Sequence, residues 1–254
     1  MKLNGKSSNL ESVLSGVPQG SILGPILFII YINTMDGAVD QLISIISKFA
    51  DDSKVRNVVN TASQTQNLQL ALDKLSAWSD RWNMKFNEKK CHVVHIGRNN
   101  PKTLYHINSI PLERSECEKD VGVWISETLK PEEQCKKAAW TANKVLGLMC
   151  RSVLYRDKKI WPKLYMTYVR PYLEYAVPAW SPWLEKDIAI IEKVQERALK
   201  QIPSLNHLNY SDKLKALGMT SLRARRIRSD LCQVWKILHD HDDVEGTTWF
   251  TRAQ

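Results

Sequence analysis

The sequence is poor in residues that would give it an unusual backbone. Glycine and proline occur 10 times each in 254 residues, too few for a collagen-like repeat or a long low-complexity linker. Cysteine is scarce and odd in number: the 5 are Cys91, Cys117, Cys135, Cys150 and Cys232, with no C-x-x-C pair among them. That spacing argues against a disulfide framework and against a zinc finger, and makes a reducing compartment the default. Long apolar runs are also missing. The most apolar stretch, Ile22 to Ile32, is interrupted by Gly24 and Pro25 and falls short of the roughly 18 apolar residues of a membrane span. It lies too far from the start, with the wrong flanks, for a secretory signal. No solenoid-type or propeller-type repeat is present. Aspartate is absent before Asp36, and Glu11 is the only acidic residue of the opening stretch. These absences together give an intracellular expectation, nucleus or cytoplasm, neither secreted nor in a membrane.

What is there supports a folded chain. At 43% hydrophobic residues, a chain of this length can bury a core and divide into two compact units. Lys plus Arg number 36 against 27 Asp plus Glu, a formal charge of +9. An excess of that size favours a polyanionic partner, because each neutralised phosphate releases counterions. The competing reading is a basic soluble protein with no nucleic-acid partner.

Along the chain, a turn-rich loop, Gly16-Val17-Pro18-Gln19-Gly20-Ser21, precedes an apolar helix expected from Ile22 to about Thr34, with Ser21 as N-cap and Pro25 in the first turn. Its apolar residues lie on all sides, which predicts deep burial. Leu42 to Ser47 and Lys54 to Val59 read as short strands around Phe49-Ala50-Asp51-Asp52. Leu68, Ala71, Leu72, Leu75, Trp78 and Trp82 mark a helix within Thr61 to Met84. Cys91 to Ile96 and Val121 to Ile125 read as strands. Leu104 to Ile107 and Ile110 to Leu112 read as a hairpin turned at Asn108-Ser109. From Pro131 the pattern is helical almost to the end, with apolar stripes Cys135/Ala138/Ala142/Val145/Met149, Trp161/Leu164/Tyr165/Tyr168, Ile188/Ile191/Val194/Ala198 and Ile227/Leu231/Val234/Leu238. The expected class is α+β: a mixed unit over 1–126 and an all-α unit over 127–254.

Asp51-Asp52 is the first candidate site. Two adjacent carboxylates in a tight turn between strands can hold Mg²⁺, a hard cation that takes oxygen ligands. The pair means little alone: Asp242-Asp243, in a polar tail, is the same dipeptide with no expected role. Arg223, Arg225, Arg226 and Arg228 open the last helix and are candidates for nucleic-acid backbone contacts, or else a solvated face. Trp161, Trp180 and Trp183 could stack on bases, but core packing is the preferred reading. His92, His95 and the His239-Asp240-His241 segment do not form a metal-ligand set.

Context changes the weight of the aspartate pair. Gly16-Val17-Pro18-Gln19-Gly20-Ser21-Ile22-Leu23-Gly24-Pro25 followed by Phe49-Ala50-Asp51-Asp52 resembles the reverse transcriptases of non-LTR retrotransposons of the jockey-like kind. Trp82-Asn83-Met84-Lys85-Phe86-Asn87-Glu88-Lys89-Lys90-Cys91 resembles the segment after the aspartate pair in that family. Asp120-Val121-Gly122-Val123-Trp124-Ile125 resembles its primer-grip hairpin. Tyr168-Val169-Arg170-Pro171-Tyr172-Leu173-Glu174-Tyr175 and Arg223-Ala224-Arg225-Arg226-Ile227-Arg228 resemble its helical elements.

The resemblance implies a partial polymerase palm, an antiparallel sheet with packed helices, over 1–126, and a helical thumb and C-terminal region over 127–254. It implies an RNA-directed DNA polymerase acting with Mg²⁺, or with Mn²⁺ in its place, on an RNA template, a DNA primer and deoxynucleoside triphosphates, with oligomeric state left open. Asp51 matches the family's metal-binding aspartate and Asp52 its neighbour. Lys90 matches a lysine near the triphosphate, where a compact cation offsets charge on the leaving group. Pro18, Gln19, Gly20 and Ser21 match the loop lining template and nucleotide, and Phe49 and Ala50 belong to the acidic turn, with Phe49 expected to anchor it in the core.

The family's other metal-binding aspartate stands on a strand before the Gly16 loop, where this sequence offers only Glu11, and the fingers region is missing too. The expectation is that this polypeptide alone does not extend a primer. The alternative is a catalytically inactive remnant or domesticated fragment that binds nucleic acid, and a further one is a relic without a selected role.

Overall fold

The structure is a computed structural model and describes residues 2–3, 6–7, 16, 20–39, 45–244, 246 and 250. Contacts divide it into two compact units, one of residues 1–93 and 99–113, the other of residues 94–98 and 114–254. Helices and small sheets occur together, in keeping with the α+β class.

In the first unit, β1 (Lys2–Leu3) pairs antiparallel with β2 (Lys6–Ser7). The apolar helix α1 (Leu23–Asn33) starts behind Ser21, whose hydroxyl accepts the Gly24 N–H at 3.1 Å. A short α2 (Asp36–Val39) follows. β3 (Ile45–Phe49) and β4 (Asp52–Arg56) form an antiparallel hairpin. The first strand expected from Leu42 lies partly outside the described residues. The second starts at Asp52 and ends at Arg56, leaving Val58 exposed.

α3 (Ala62–Arg81) opens with a capping box: the Thr61 hydroxyl accepts the Gln64 N–H, and the Gln64 side chain accepts the Thr61 N–H at 3.1 Å. Such a cap stabilises a helix start by about 1 kcal/mol. Its expected stripe holds for the most part: Ala71, Leu72, Leu75 and Trp78 are buried and Leu68 is half-buried, while Trp82 at the C-terminal end is exposed. Ile32, Met35 and Val39 pack against Ala71, Leu75 and Trp78, joined by Ile46 and Val55 of the hairpin.

Short strands follow at β5 (His92–Val93), β6 (His106–Ile107), β7 (Ile110–Pro111) and β8 (Glu113–Arg114). β6 and β7 form the hairpin expected at Asn108-Ser109, both of which take positive φ (50° and 63°), as a two-residue turn matched to strand twist requires. It sits on α3 through Leu72, Tyr105, Ile107 and Leu112, and the Gln69 side-chain amide bonds both the N–H and the carbonyl of His106 at 3.0 Å.

The expected deep burial of α1 is overturned. Ile22, Leu23, Ile26, Leu27, Ile29 and Ile30 are all exposed, Ile22 to 87%. A helix apolar all round can bury only the side its neighbour offers, and here α3 and the hairpin cover only the C-terminal half, at Phe28, Tyr31 and Ile32.

In the second unit, β9 (Cys117–Asp120) and β10 (Val123–Ser126) form a hairpin turned at Val121-Gly122. The strand expected from Val121 therefore begins at Val123, because Val121 and Gly122 both take positive φ (44° and 87°). A side chain at Gly122 is disfavoured, since its φ is positive and a Cβ would stand 2.8 Å from Cε1 of Tyr175, whose hydroxyl donates to the Val121 carbonyl at 3.0 Å. The hairpin joins the helical core, since Val123 is one of its members and the Trp124 N–H donates to Gln134 at 2.9 Å.

The helices are α4 (Glu132–Ser152), α5 (Trp161–Leu164), a π turn (Tyr165–Val169), α6 (Arg170–Glu174), α7 (Glu185–Leu199), α8 (Tyr210–Ala216) and α9 (Leu222–Leu238). Cys135, Ala142, Leu146, Trp161, Tyr165, Ile191, Val194 and Ala198 form the core. Its polar atoms are satisfied from within: the Trp161 indole N–H donates to the Ala198 carbonyl at 2.8 Å, and the Tyr165 hydroxyl donates to Gln195 at 3.0 Å. The first three helical stripes face this core for the most part, although Tyr168 is exposed. The fourth does not. Ile227 and Leu231 of α9 are exposed, and the buried residues of that helix are Leu222 and Arg226. Trp161 and Trp180 are core residues as read, whereas Trp183 is 63% exposed on the short segment leading into α7.

Candidate active site

The acidic hairpin follows from alternation along two strands. In the register, Ile46 pairs with Val55, Lys48 with Ser53 and Phe49 with Asp52. Directly paired residues share a face and neighbours along a strand do not. Ile46 and Val55 face the core, so Lys48 shares the inward side while Ile45, Phe49 and Asp52 share the outward side. Phe49 is accordingly 63% exposed. The expected anchoring of the turn by Phe49 is thus overturned by register.

Ala50 and Asp51 make the two-residue loop, with Ala50 at φ 52°. Asp51 and Asp52 are both exposed, and among the described residues no hydrogen bond or ion pair engages either carboxylate.

The residue that fixes this hairpin is one the sequence reading passed over. Lys48 extends its ammonium to the Asp36 carboxylate at 2.7 Å, to Asn33 Oδ1 at 3.3 Å and to the Ile32 carbonyl at 3.4 Å. Its side chain is only 14% exposed. A cation at the C-terminus of α1 is favoured by the helix dipole, so Lys48 ties the acidic hairpin to the end of the helix that starts at Ser21. The signal was available: Lys48 stands two residues after Ile46, on the same side of an inward-facing strand.

The remaining candidates are placed as follows. Gly20 is an exposed turn residue at φ +81°, and Ser21 is half-buried with its hydroxyl committed to the helix start. Pro18 and Gln19 lie outside the described residues. Lys90 is exposed at the end of a 3-10 turn (Glu88–Lys90), with no ion pair to either aspartate. In the second unit, Arg223 pairs with Glu185 at 3.0 Å and Arg225 grips the Glu174 carboxylate with two nitrogens. Arg226 is 3% exposed, and burial pushes its guanidinium below the usual arginine range. It faces the protein interior and is out of reach of a phosphate, which overturns its place in the candidate set. Arg228 is exposed.

Adjacent carboxylates are the right kind of donor for a hard divalent cation. The number is short: among the described residues no group of three His, Cys, Asp or Glu side chains comes together.

The family described as reverse transcriptase (RNA-dependent DNA polymerase) matches residues 2–150, more than half of the chain and the whole of the acidic hairpin. The chain belongs to the reverse transcriptase family. Its relatives are of the non-LTR kind that the loop and the aspartate turn resemble. It is 27% identical over 136 residues to the RNA-directed DNA polymerase from mobile element jockey of Drosophila melanogaster, covering 51% of this chain and 15% of that protein. It is 27% identical over 208 residues to the probable RNA-directed DNA polymerase from transposon X-element of the same fly, covering 77% and 22%. The jockey polymerase of Drosophila funebris is 28% identical over 213 residues, covering 78% and 23%. This reverse transcriptase chain therefore spans less than a quarter of the length of these relatives. No solved structure matches it significantly. Among its described residues no helix is long and apolar enough to cross a membrane.

Proposed function

We propose that this chain is the palm and thumb part of an RNA-directed DNA polymerase of a non-LTR retrotransposon, with the β3–β4 turn as part of its metal site. The observation that carries the reading is the antiparallel hairpin presenting Asp51 and Asp52 at its tip, inside the stretch that matches the family. Residues 1–126 serve as palm and 127–254 as thumb and C-terminal region. The substrates are an RNA template, a DNA primer and deoxynucleoside triphosphates.

Asp51 and Asp52 would hold Mg²⁺ through carboxylate oxygens. Bound there, the cation supplies positive charge to offset what develops during nucleotidyl transfer. The chain's own residues supply placement. Lys48 anchors the hairpin to α1, Gly20 lets backbone approach a base or sugar closely, and exposed Lys90 offers a mobile cation for a triphosphate. Phe49 stands beside Asp52 on the outward face, where an exposed ring can meet nucleic acid.

Primer extension on an RNA template with Mg²⁺, comparing the chain with Asp51→Ala and Asp52→Ala, tests this. With only two carboxylates assembled among the described residues, the chain alone is expected to show little synthesis. Any synthesis it shows should vanish in Asp51→Ala. Synthesis that persists at full rate in both variants would refute the assignment. Salt-dependent RNA binding without synthesis and without cation binding at the hairpin would favour an inactive nucleic-acid-binding fragment.

A further inference from the structure

In the second unit, α4 and α7 run side by side, in the same direction and in step. Lys186 donates to Glu132 at 2.6 Å near the start of both helices, and Arg197 donates to Asn143 at 3.4 Å further along, each pair 54 residues apart. The outer side of α4 follows from what the helix buries. With Cys135, Ala138, Ala142, Leu146 and Met149 turned to the core, Lys137, Trp140, Lys144 and Arg151 stand outward, all of them exposed. Lys137, Lys144 and Arg151 follow one another at two-turn intervals, which sets them in one row about 21 Å long. Beside this row α7 exposes Arg197 and, one turn before it on the same side, Lys193.

The positive charge of this face is left over after its neighbours are satisfied. Lys136 and Lys186 are held by Glu132 and Glu133, and Lys200 lines the same cavity as Glu196, so none of these three counts towards it. Among the described residues no carboxylate forms an ion pair with Lys137, Lys144, Arg151, Lys193 or Arg197. No acidic residue occurs between Glu133 and Asp157, and Asp157 turns its carboxylate to the Lys159 and Ile160 N–H groups at 3.0 and 2.6 Å. A face kept only for solubility would mix both signs. Rings stand among the cations. Trp140 is 65% exposed, with the Lys144 ammonium over one face at 5.4 Å from the ring centroid, and Tyr155, just past the helix, is 70% exposed. Cations beside open rings suit a single strand, whose phosphates meet the cations while its bases stack on the rings. A duplex has its bases already stacked and offers the rings nothing. We infer that the outer face of α4, with the adjoining edge of α7, is a docking surface for an unpaired polynucleotide strand. The inference rests on nucleic acid being the partner, but it involves no metal and no residue of the acidic hairpin.

Fluorescence anisotropy of a short labelled RNA or DNA strand, titrated with the full chain in the presence of EDTA, reads it directly. The strand should bind, and a duplex of the same sequence should bind more weakly. With about four phosphates neutralised, the logarithm of the affinity should fall against the logarithm of the salt concentration with a slope of about −3. Lys144→Glu together with Arg151→Glu should weaken binding by about tenfold or more and flatten that slope. Trp140→Ala leaves every charge in place, so it should weaken binding by about fivefold or more at an unchanged slope. Arg228→Glu, a charge reversal on α9, should have little effect, and all variants should keep their circular dichroism. A duplex bound as tightly as the strand, or an affinity indifferent to Trp140→Ala, overturns the inference. Binding that falls with Arg228→Glu and not with the α4 changes overturns it too, while leaving nucleic acid as the partner. A preference for phosphatidylserine vesicles over the strand would assign the face to a membrane surface instead. No binding of the strand at low salt would overturn the surface and the choice of partner together.

Discussion

Replacing Lys48 with methionine keeps the aliphatic stem and removes the ammonium that joins the acidic hairpin to α1. Three acceptors lose their donor: the Asp36 carboxylate at 2.7 Å, Asn33 Oδ1 and the Ile32 carbonyl. The Asp36 side chain is 51% exposed, so solvent screens the ion pair and its share is about 0.5–1 kcal/mol. A cation at a helix C-terminus contributes about 0.5–1 kcal/mol more. The local loss is therefore about 1–2 kcal/mol, a factor of about 5–30 in the opening equilibrium. Hydrogen exchange measures it: amides of β3, β4 and the last turn of α1 should lose about that factor of protection, while those of α3 change little. Asp36→Asn should have a smaller effect, since two acceptors remain, and Lys48→Arg should retain most protection. Unchanged exchange in the hairpin of Lys48→Met, or an equal loss across α3, would refute the idea that Lys48 is a local anchor.

Gly122→Ala should destabilise the second unit by about 2–3 kcal/mol, combining strain at positive φ with loss of the Tyr175–Val121 bond. Gly147→Ala in α4, where nothing lies within 4 Å, should stabilise it by about 0.4–1 kcal/mol, both read from chemical denaturation. The Glu132 carboxyl is held down to about 2 by its bonds to Lys136 and Lys186. A folded value below the ordinary 4.5 means the contribution is full above pH 4.5 and disappears as pH falls towards 2. Glu132→Gln should flatten the acid limb of the melting temperature in that window, and an unchanged slope would count against the bridge. Burial, with Asp187 nearby, pushes the Cys135 thiol up to about 12, so native protein should be alkylated at exposed Cys232 and spared at Cys135. Equal labelling of the two would mean that the core around Cys135 opens readily.

Much of the local structure was legible because it rests on short-range rules. The turn at Asn108-Ser109 and the stripes of α3 and α4 need no knowledge of distant residues. The aspartate turn was readable from its context, since neighbouring motifs gave Asp51-Asp52 a meaning that Asp242-Asp243 never had. What failed was the choice of neighbour. The composition of α1 said apolar, and only tertiary packing could say that Ile22, Leu23, Ile26 and Leu27 stay exposed. The stripe on α9 was read with the right period and the wrong side, because Arg226, Asp230 and Gln233 occupy the inward positions. The resemblance implied that Phe49 anchors the turn in the core, whereas the register of a two-residue turn points it outward. That same register made Lys48 the inward residue. Pairing across a hairpin, absent from any single strand, decided both.

The central claim is that the carboxylates at the β3–β4 turn take a divalent cation. Titrating the chain with Mn²⁺ and following paramagnetic broadening of backbone amide signals tests it most directly. The account predicts that the amides of Ala50, Asp51, Asp52 and Ser53 broaden first, and that Asp51→Asn with Asp52→Asn removes the effect. Broadening centred on Asp242-Asp243 instead, or hairpin broadening that survives the double substitution, would contradict it.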